Sequence, residues 1–300
     1  MTRHNDPVKR VQVDGQYHVW TKKVGHGPVT LLLLHGGPGC THEYFECFEQ
    51  WLSPDKYTFY YYDQLGSFYS DQPDDPSLWT VERFREEVEQ VRQALGLEQF
   101  YLFGNSWGGM LALEYALKYQ THLKGLIVSN MTASIASYVA YINELREQLP
   151  EEDVARMKQH ETSGELDHPE YQELLMTLYN RHICRVVPWP EPVQRMFSHL
   201  ATPVYNTMQG PNEFVVSGNF KDWNRWEDLH RITVPTLLSV GRHDSMNPAD
   251  IQEMGRRMQN ATVSICENGS HLSMWDDANT YFGALEQFIH EVEQQGVARP

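Results

Sequence analysis

The chain of 300 residues is long enough for one large α/β domain that carries an insertion. Its 40 acidic and 24 basic residues give a formal net charge of −16. Affinity for nucleic acids comes mainly from Lys and Arg side chains that neutralise phosphates, so we expect no nucleic-acid partner. A hydrophobic fraction of 41% is sufficient for a sizeable core.

The sequence shows neither a membrane-spanning segment nor a secretory signal. The apolar run from Leu31 to Leu34 is far shorter than a bilayer span, and residues 1–7 contain no apolar stretch. The four cysteines form no Cys-x-x-Cys pair and no metal-like cluster, which is typical of reduced thiols in the cytoplasm. We therefore expect a cytoplasmic protein with no membrane partner, no metal and no cofactor.

The first part of the chain alternates short β-rich runs with amphipathic helical patterns, which favours a parallel sheet covered by helices on both faces. Apolar residues at spacings of three and four predict a helix from Val81 to Leu95, with Thr80 as its N-cap. The predicted elements in chain order are strands at 29–34 and 57–62, this helix, a strand at 100–103, a helix at 107–119 and a strand at 123–129.

This alternation stops near Ala133, and helical patterns rich in aromatic residues continue to about Asn224. The pattern then resumes with a strand at 236–240, a helix at 248–258, a strand at 262–266 and a closing helix at about 277–292. The sequence thus predicts a core of residues 1–132 and 225–300 and a helical cap of residues 133–224. Such an insertion can cover the carboxyl ends of the strands, where open α/β sheets bind ligands.

The strongest local motif is Gly104-Asn-Ser-Trp-Gly-Gly109, which follows a predicted strand and begins a predicted helix. This is the context of a nucleophile elbow. A tight strand-to-helix turn needs small neighbours and directs the hydroxyl of Ser106 outward at the helix N-terminus, where the helix dipole favours negative charge. Chance matches to Gly-x-Ser-x-Gly are expected on the order of 0.1 times in such a chain. We therefore predict Ser106 as a nucleophile.

A serine nucleophile needs a histidine base that a carboxylate orients, and in this type of fold the chain order is serine, acid, histidine. Asp244 follows the strand at 236–240, and His271 follows the next strand, so both come from the same sheet edge as Ser106. We predict these two as the acid and the base. Three neighbours are alternatives for which surface positions are favoured: His243 as base, and Asp276 or Asp277 as acid.

A glycine-rich loop, His35-Gly-Gly-Pro-Gly39, follows the strand at 29–34. In nucleophile-elbow enzymes such a loop supplies one backbone N–H of the oxyanion hole, and the residue after the nucleophile supplies the other. We predict Gly37 and Trp107 as these two donors. His35 is expected to hydrogen-bond the backbone and to have a structural role.

Together with Asp63-Gln-Leu-Gly66, Gly241-Arg-His-Asp244 and Gly269-Ser-His271, these motifs resemble the proline iminopeptidase family of α/β-hydrolases, in order over about 29–288. The segments Gly210-Pro-Asn-Glu-Phe214 and Lys221-Asp-Trp223 are similar to those of the archaeal tricorn-interacting aminopeptidases. The resemblance implies an α/β-hydrolase fold and a metal-free serine aminopeptidase. Such an enzyme releases an N-terminal residue, often proline, from short peptides or amino-acid amides through an acyl-enzyme.

The resemblance also implies that Glu213 receives the positively charged α-amino group of the substrate. A desolvated carboxylate near the serine suits an exopeptidase, which must recognise a free amine. Some members of the family have a second acid directly after the triad aspartate, where this chain has Ser245. The sequence leaves two other functions open: an amidase or esterase that ignores the amine, and a non-catalytic binding protein on the same scaffold.

Overall fold

A computed structural model describes residues 7–297 of the chain. Residues 1–6 and 298–300 lie outside the described part. The ends of the predicted core, and most of the N-terminal segment 1–7 for which no secretory signal is predicted, are therefore not described. The described residues form eight strands: β1 Val8–Val13, β2 Tyr17–Gly25, β3 Val29–Leu34, β4 Tyr57–Asp63, β5 Phe100–Asn105, β6 Leu123–Ser129, β7 Thr236–Gly241 and β8 Ala261–Cys266.

All eight strands belong to one sheet with the order β1-β2-β4-β3-β5-β6-β7-β8. Every pairing from β4 to β8 is parallel, whereas β2 pairs antiparallel with both β1 and β4. The mostly parallel sheet confirms the predicted α/β fold. Because parallel strands share a direction, the loops after β3, β5, β7 and β8 all emerge at the same edge.

The hairpin of β1 and β2 is the part of the sheet that the sequence patterns missed. Its connection contains Asp14 and Gly15, with φ angles of 51° and 71°. Glycine adopts this left-handed conformation without strain, and aspartate tolerates it. An Asp-Gly pair between two β-rich runs is a hairpin signal, so these two residues carried the missing information.

Eleven α-helices lie among residues 7–297: α1 Phe48–Trp51, α2 Val81–Leu95, α3 Trp107–Tyr119, α4 Ile135–Arg146, α5 Glu151–Ser163, α6 Pro169–His182, α7 Glu191–Ser198, α8 Thr202–Met208, α9 Pro248–Arg257, α10 Ser273–Asp276 and α11 Ala278–Val297. Helix α2 has the predicted bounds, and the Thr80 side chain caps it by accepting from the N–H of Arg83. None of the helices in this described range is long and apolar enough to cross a membrane.

The sheet is buried on both faces, as the β3 side chains show. Leu32 and Leu34 belong to one apolar cluster, which includes residues of α2, α3 and α9. Leu31 and Leu33 belong to the other, which includes residues of α1 and α11. A strand covered on both sides has a continuous apolar sequence, which explains the run of four leucines in β3.

Helices α4 to α8 all lie between β6 and β7. The two ends of this segment meet, because Ser134 and Asn224 form an isolated antiparallel bridge. Next to the bridge, the N–H of Ile135 donates to the carbonyl oxygen of Trp223 at 3.0 Å. The helical segment therefore leaves the sheet and returns to it at one place.

Candidate active site

Ser106 stands at the sharp turn between β5 and α3. Its φ and ψ angles are 56° and −126°, a strained conformation for a residue with a side chain. The turn is held on both sides: the Ser106 N–H donates to the carbonyl oxygen of Ser129 at 2.9 Å, and its own carbonyl accepts from the N–H of Gly109 at 2.7 Å. The backbone thus has the geometry of a nucleophile elbow.

The glycines on either side of Ser106 are required by close backbone approaches. A Cβ atom at Gly104 would overlap the carbonyl group of Gly108, and a Cβ atom at Gly108 would overlap the carbonyl of Leu34. Helix α3 can therefore lie directly against the ends of β5 and β3 only with glycine at both positions. This packing explains the spacing of the motif around the serine.

The loops after β7 and β8 bring Asp244 and His271 together. The His271 Nδ1–H donates to Asp244 Oδ1 at 2.7 Å, and both side chains are buried. Burial disfavours the imidazolium, but the charge and hydrogen bond of Asp244, together with the charge of Glu213, outweigh it and raise the pKa of His271 above 6.5. The ring is therefore oriented through Nδ1 by a carboxylate, which leaves Nε2 as the atom able to accept a proton.

The alternative acids and base have other partners. Asp276 accepts hydrogen bonds from the N–H groups of Ser270, at 2.9 Å, and Arg185, at 2.8 Å. Asp277 accepts from a backbone N–H in the same loop, that of residue 268, at 3.1 Å. Two pockets, one large and one small, are lined by Ser106, and His243 lines neither of them. The structure thus pairs His271 with Asp244.

The glycine-rich loop after β3 lies against the serine. A Cβ atom at Gly36 would be 3.1 Å from the Ser106 Cβ. The Gly36 N–H already donates to the Tyr44 hydroxyl at 2.8 Å, whereas the N–H of Gly37 has no backbone acceptor among residues 7–297. Trp107 is the first residue of α3, so its N–H has no acceptor in a preceding helical turn. Gly37 and Trp107 both line a small pocket beside Ser106.

Three side chains lock this loop in place. The His35 Nδ1–H donates to the carbonyl of Gly36 at 2.8 Å, and its Nε2 accepts from the backbone N–H of Gln64 at 3.0 Å. The Gln64 amide in turn accepts from the indole N–H of Trp107 at 2.7 Å. As predicted, His35 hydrogen-bonds the backbone, and its burial lowers its pKa.

Glu213 lies half-buried in the segment after α8, with its carboxylate held by two tyrosines. Tyr205 donates to Oε1 at 2.5 Å, and the Tyr138 hydroxyl lies 3.1 Å from Oε2 while also contacting the backbone carbonyl oxygen of Glu213. Burial, followed by the charge of Glu213, raises the pKa of both tyrosines well above the usual value, so their hydroxyls remain donors. Glu213, Ser106 and His271 all line one cavity of about 600 Å³, the main cavity.

One group of described residues has the composition of a metal site: His160, His168 and Glu170, whose ligand atoms lie within 4.8 Å of one another. It lies at the connection between α5 and α6. His160 hydrogen-bonds Glu170 through Nε2 and Glu165 through Nδ1, each at 3.2 Å. None of the three lines the main cavity, so the group is separate from the residues around Ser106.

Comparison with known proteins agrees with this geometry. Residues 29–278 match the model of a family described as alpha/beta hydrolase fold. A proline iminopeptidase of Flavobacterium johnsoniae is 45% identical over 288 residues, covering 94% of this chain and 97% of that protein. One of Elizabethkingia meningoseptica is 46% identical over 285 residues, covering 93% and 96%. The chain belongs to the proline iminopeptidase family of α/β hydrolases.

Solved structures of the same fold match nearly the whole chain. The crystal structure of VinJ superimposes with a TM-score of 0.91 at 32% identity and covers 95% of this chain and 98% of that one. The proline iminopeptidase of Mycobacterium smegmatis gives a TM-score of 0.89 at 30% identity, covering 96% and 99%. These similarities confirm the family that the sequence motifs indicate and the α/β-hydrolase fold.

One residue that contacts Asp244, Asn130, was not predicted from the sequence. The Asn130 side-chain N–H₂ donates to Asp244 Oδ2 at 2.6 Å, on the side of the carboxylate away from His271. Asn130 directly follows β6 and has a φ of 56°, so an asparagine at the end of a predicted strand was its only signal. The Oγ of Ser245 is 3.4 Å from both His271 Nδ1 and Asp244 Oδ1.

Proposed function

We propose that Ser106, His271 and Asp244 form the catalytic triad of this serine aminopeptidase. The Ser106 hydroxyl attacks the scissile carbonyl while His271 Nε2 takes its proton. Asp244 accepts the 2.7 Å hydrogen bond from Nδ1–H and so holds the ring in the tautomer that leaves Nε2 free to take this proton. His271 then protonates the leaving amine. In the second step His271 takes a proton from water, which attacks the acyl-enzyme and releases the acyl group from Ser106. The strained turn at Ser106 and the raised pKa of His271 support these roles.

The N–H groups of Gly37 and Trp107 are proposed to bind the oxyanion. Both residues line the small pocket beside Ser106, and neither N–H is consumed by the hydrogen bonds that hold the loop. Because Gln64 ties His35 to the indole of Trp107, the two donors are held at a fixed separation before substrate binds. Such pre-organisation avoids reorganisation cost in the transition state.

Glu213 is proposed to receive the α-ammonium group of the substrate. The observation that carries this proposal is that its carboxylate, Ser106 and His271 face one common cavity. Two tyrosine hydroxyls fix the carboxylate, so it presents a negative charge at a set distance from the nucleophile. An amine bound there places the first peptide bond of the chain at the serine, which makes the enzyme an exopeptidase for short peptides or amino-acid amides.

Residues 133–224 are proposed to act as the cap that selects the substrate, and residues 1–132 and 225–300 as the catalytic core. Helices α6, α7 and α8 contribute Leu175, Met196 and Tyr205 to the wall of the main cavity. The cavity of about 600 Å³ lies within the size range of sites for small ligands. It therefore favours short peptides and excludes folded chains.

Matched substrates test the aminopeptidase activity. Free proline, alanine and leucine arylamides are compared with their N-acetylated forms, for which we expect turnover only with a free amine. Ser106→Ala should lower kcat by at least roughly 10⁴-fold, because no other nucleophile can form the acyl-enzyme. A fluorophosphonate probe should label the wild type and not this variant.

The alternative within the same chemistry is an amidase or esterase that ignores the amine. Equal kcat/KM values for the free and N-acetylated arylamides would establish that alternative and remove the role of Glu213. Fluorophosphonate labelling without any turnover of free arylamides would show an active serine with a different substrate. No labelling of the wild type would point instead to a non-catalytic protein.

A further inference from the structure

Gln209 carries a buried polar group that the catalytic roles above do not use. It is the C-cap residue of α8, and its side chain is only 3% exposed. Its Nε2 atom has no hydrogen-bond partner among residues 7–297. A buried amide nitrogen without a partner costs about 1–3 kcal/mol, so such a group in a native protein requires an explanation.

Gln209 lies beside the proposed substrate site. It lines the small pocket, together with Gly37, Ser106 and Glu213 and apolar side chains such as Met246. This pocket of about 10 Å³ has room for one group of the size of a water molecule. An ammonium group is of that size. The small pocket adjoins the main cavity, because Gly37, Ser106 and Glu213 line both.

The ammonium group brings several donors to the site of Glu213. One carboxylate oxygen, Oε1, already accepts the Tyr205 hydroxyl, and the Tyr138 hydroxyl contacts both Oε2 and the backbone carbonyl of Glu213. An α-ammonium has two or three N–H donors, and each must find an acceptor when the group leaves water. Ser245, which occupies the place of the second acid of some relatives, donates its hydroxyl to Asp244 Oδ1 at 3.4 Å. A second acceptor for the ammonium is therefore sought elsewhere in the pocket wall.

We propose that the side-chain amide of Gln209 is this second acceptor, so that Gln209 and Glu213 together bind the α-ammonium of the substrate. The proposal rests on the proposed function of Glu213. No hydrogen bond within the described chain holds Nε2, so a half-turn that exchanges the two ends of the amide breaks no hydrogen bond of this nitrogen. The carbonyl oxygen then accepts one N–H of the ammonium while Glu213 supplies the charge.

The geometry of α8 supports a fixed role for this amide. The backbone carbonyl of Gln209 accepts from the N–H groups of Ser217 at 3.0 Å and Gly218 at 2.9 Å, and its own N–H donates to Tyr205 at 2.8 Å. The residue that carries the amide is thus tied to the same helix as Tyr205, which holds Glu213. One short segment positions both acceptors.

Two nitrophenyl esters test the proposal: the alanyl ester, which has an α-amine, and the propionyl ester, which has the same carbon skeleton without it. Gln209→Leu replaces the amide by an apolar side chain of similar size. We expect the ratio of kcat/KM for the alanyl ester to kcat/KM for the propionyl ester to fall roughly tenfold or more, the effect of one charge-assisted hydrogen bond. An unchanged ratio overturns the proposal.

Two further variants separate this effect from misfolding. Gln209→Glu keeps an acceptor oxygen at the same place, so its ester ratio should stay within about threefold of wild type. Asn206→Leu removes an amide that lines the main cavity and not the small pocket, so it should change both esters by the same factor. Fluorophosphonate labelling reports whether each variant keeps an assembled serine and histidine. A fall in the ratio for Asn206→Leu as large as for Gln209→Leu contradicts the proposal.

The same experiment distinguishes this inference from the proposed function. If Glu213→Gln lowers the ester ratio and Gln209→Leu does not, Glu213 binds the amine without Gln209, and this inference is wrong. If neither variant lowers the ester ratio, the proposal that Glu213 binds the α-ammonium group is wrong as well. A last comparison uses seryl and 4-hydroxyprolyl esters, whose side chains carry a hydroxyl. If Gln209→Leu lowers kcat/KM only for these hydroxylated substrates, the amide binds the substrate side chain, and the proposed role at the amine is wrong.

Discussion

The backbone N–H of His271 donates to the carbonyl oxygen of His182 at 3.0 Å. His182 ends helix α6, so the loop that carries the proposed base is bonded directly to the inserted helices. The next residue repeats the connection, since the N–H of Leu272 donates to the carbonyl of Ile183 at 2.8 Å. The position of the imidazole therefore depends on the cap as well as on the sheet.

Asp276 completes this connection, and it provides a test of the triad assignment. Its carboxylate accepts N–H groups from both sides, Ser270 in the histidine loop and Arg185 after α6. We expect Asp244→Asn to lower kcat by roughly 10³–10⁴-fold, because the imidazole then loses its orientation and the charge that stabilises its protonated form. Asp276→Asn keeps the shape of the side chain and should cost about tenfold or less.

Steady-state kcat on a free-amine arylamide gives the comparison, with circular dichroism as the check on folding. If Asp276→Asn lowers kcat as much as Asp244→Asn does, the acid has been misassigned. If both variants have nearly wild-type activity, His271 does not act through either carboxylate, and the proposed mechanism is wrong.

The pH dependence of the reaction should report the environment of His271. Below its pKa the ring is an imidazolium and cannot take the Ser106 proton, so kcat/KM falls as the pH falls through that value. Since the pKa of His271 is raised above 6.5, the acidic limb lies above pH 6.5. Glu213 is one of the charges that raise this pKa, so Glu213→Gln should move the acidic limb to lower pH.

This shift is best measured on the propionyl ester, which carries no amine that titrates. On free-amine substrates the same variant should lose roughly 100-fold in kcat/KM, because the ammonium then meets no negative charge. Glu46→Gln is a suitable control, since Glu46 pairs with Arg195 at 2.8 Å and does not line the main cavity. An acidic limb that stays in place in Glu213→Gln would refute the electrostatic link between Glu213 and His271.

Asn130 is expected to position the acid of the triad. Its side chain donates to the oxygen of Asp244 that His271 does not use. Asn130→Gly removes the amide and suits the φ of 56°, so kcat should fall about tenfold without a large loss of stability. Asn130→Asp brings a second carboxylate against Asp244 and should cost more, about 100-fold. Wild-type kcat in both variants would mean that Asn130 only supports the fold.

Local motifs account for most of what the sequence predicted. The turn around Ser106 and the loop containing Gly37 require particular residues at consecutive positions, because backbone approaches such as that of Gly104 to Gly108 leave no alternative. Helix α2 was predicted to the residue because its apolar spacing and its Thr80 cap agree. Structure determined by short-range sterics can thus be inferred from short stretches of sequence.

Contacts between distant segments account for what the sequence did not predict. Asn130 and Asp244 are 114 positions apart, and neither residue by itself predicts the other. The inward face of α8, which brings Gln209 to the small pocket, depends on how the inserted helices pack on the sheet. Helical periodicity identifies an apolar face but not the element that it covers. The side chains that line the cavity therefore could not be predicted from the sequence.

Glu43 is expected to anchor helix α7 to the core. It is buried and accepts hydrogen bonds from His199 at 2.9 Å and Arg195 at 3.2 Å, and also from Tyr69 at 2.8 Å. Burial raises the pKa of Glu43, but hydrogen bonds led by that of Thr41 outweigh it, so its pKa lies below the usual 4.5. A carboxyl with a depressed pKa stabilises the fold above pH 4.5, and that contribution is lost as the pH falls through the folded-state pKa.

Glu43→Gln should therefore lower the free energy of unfolding by about 3 kcal/mol at neutral pH, because it leaves buried donors without a charged partner. Denaturant unfolding at pH 7 and at pH 4 measures the effect, and the variant should lose less stability between them than the wild type. Glu46→Gln, which breaks a half-exposed ion pair with the same Arg195, should cost under about 1 kcal/mol. Equal losses for the two variants would contradict a special role for Glu43.

The charge of the main cavity predicts which leaving groups the enzyme accepts. Its lining includes the carboxylates of Asp167 and Glu213 and, among residues 7–297, no Lys or Arg. The free C-terminal carboxylate of a dipeptide would enter this cavity without a cationic partner, and desolvation without pairing is unfavourable. We expect kcat/KM for alanyl-alaninamide to exceed that for alanyl-alanine by roughly tenfold. Asp167→Asn should narrow this difference, and equal hydrolysis of the two substrates by the wild type would show that the C-terminal end lies outside the cavity.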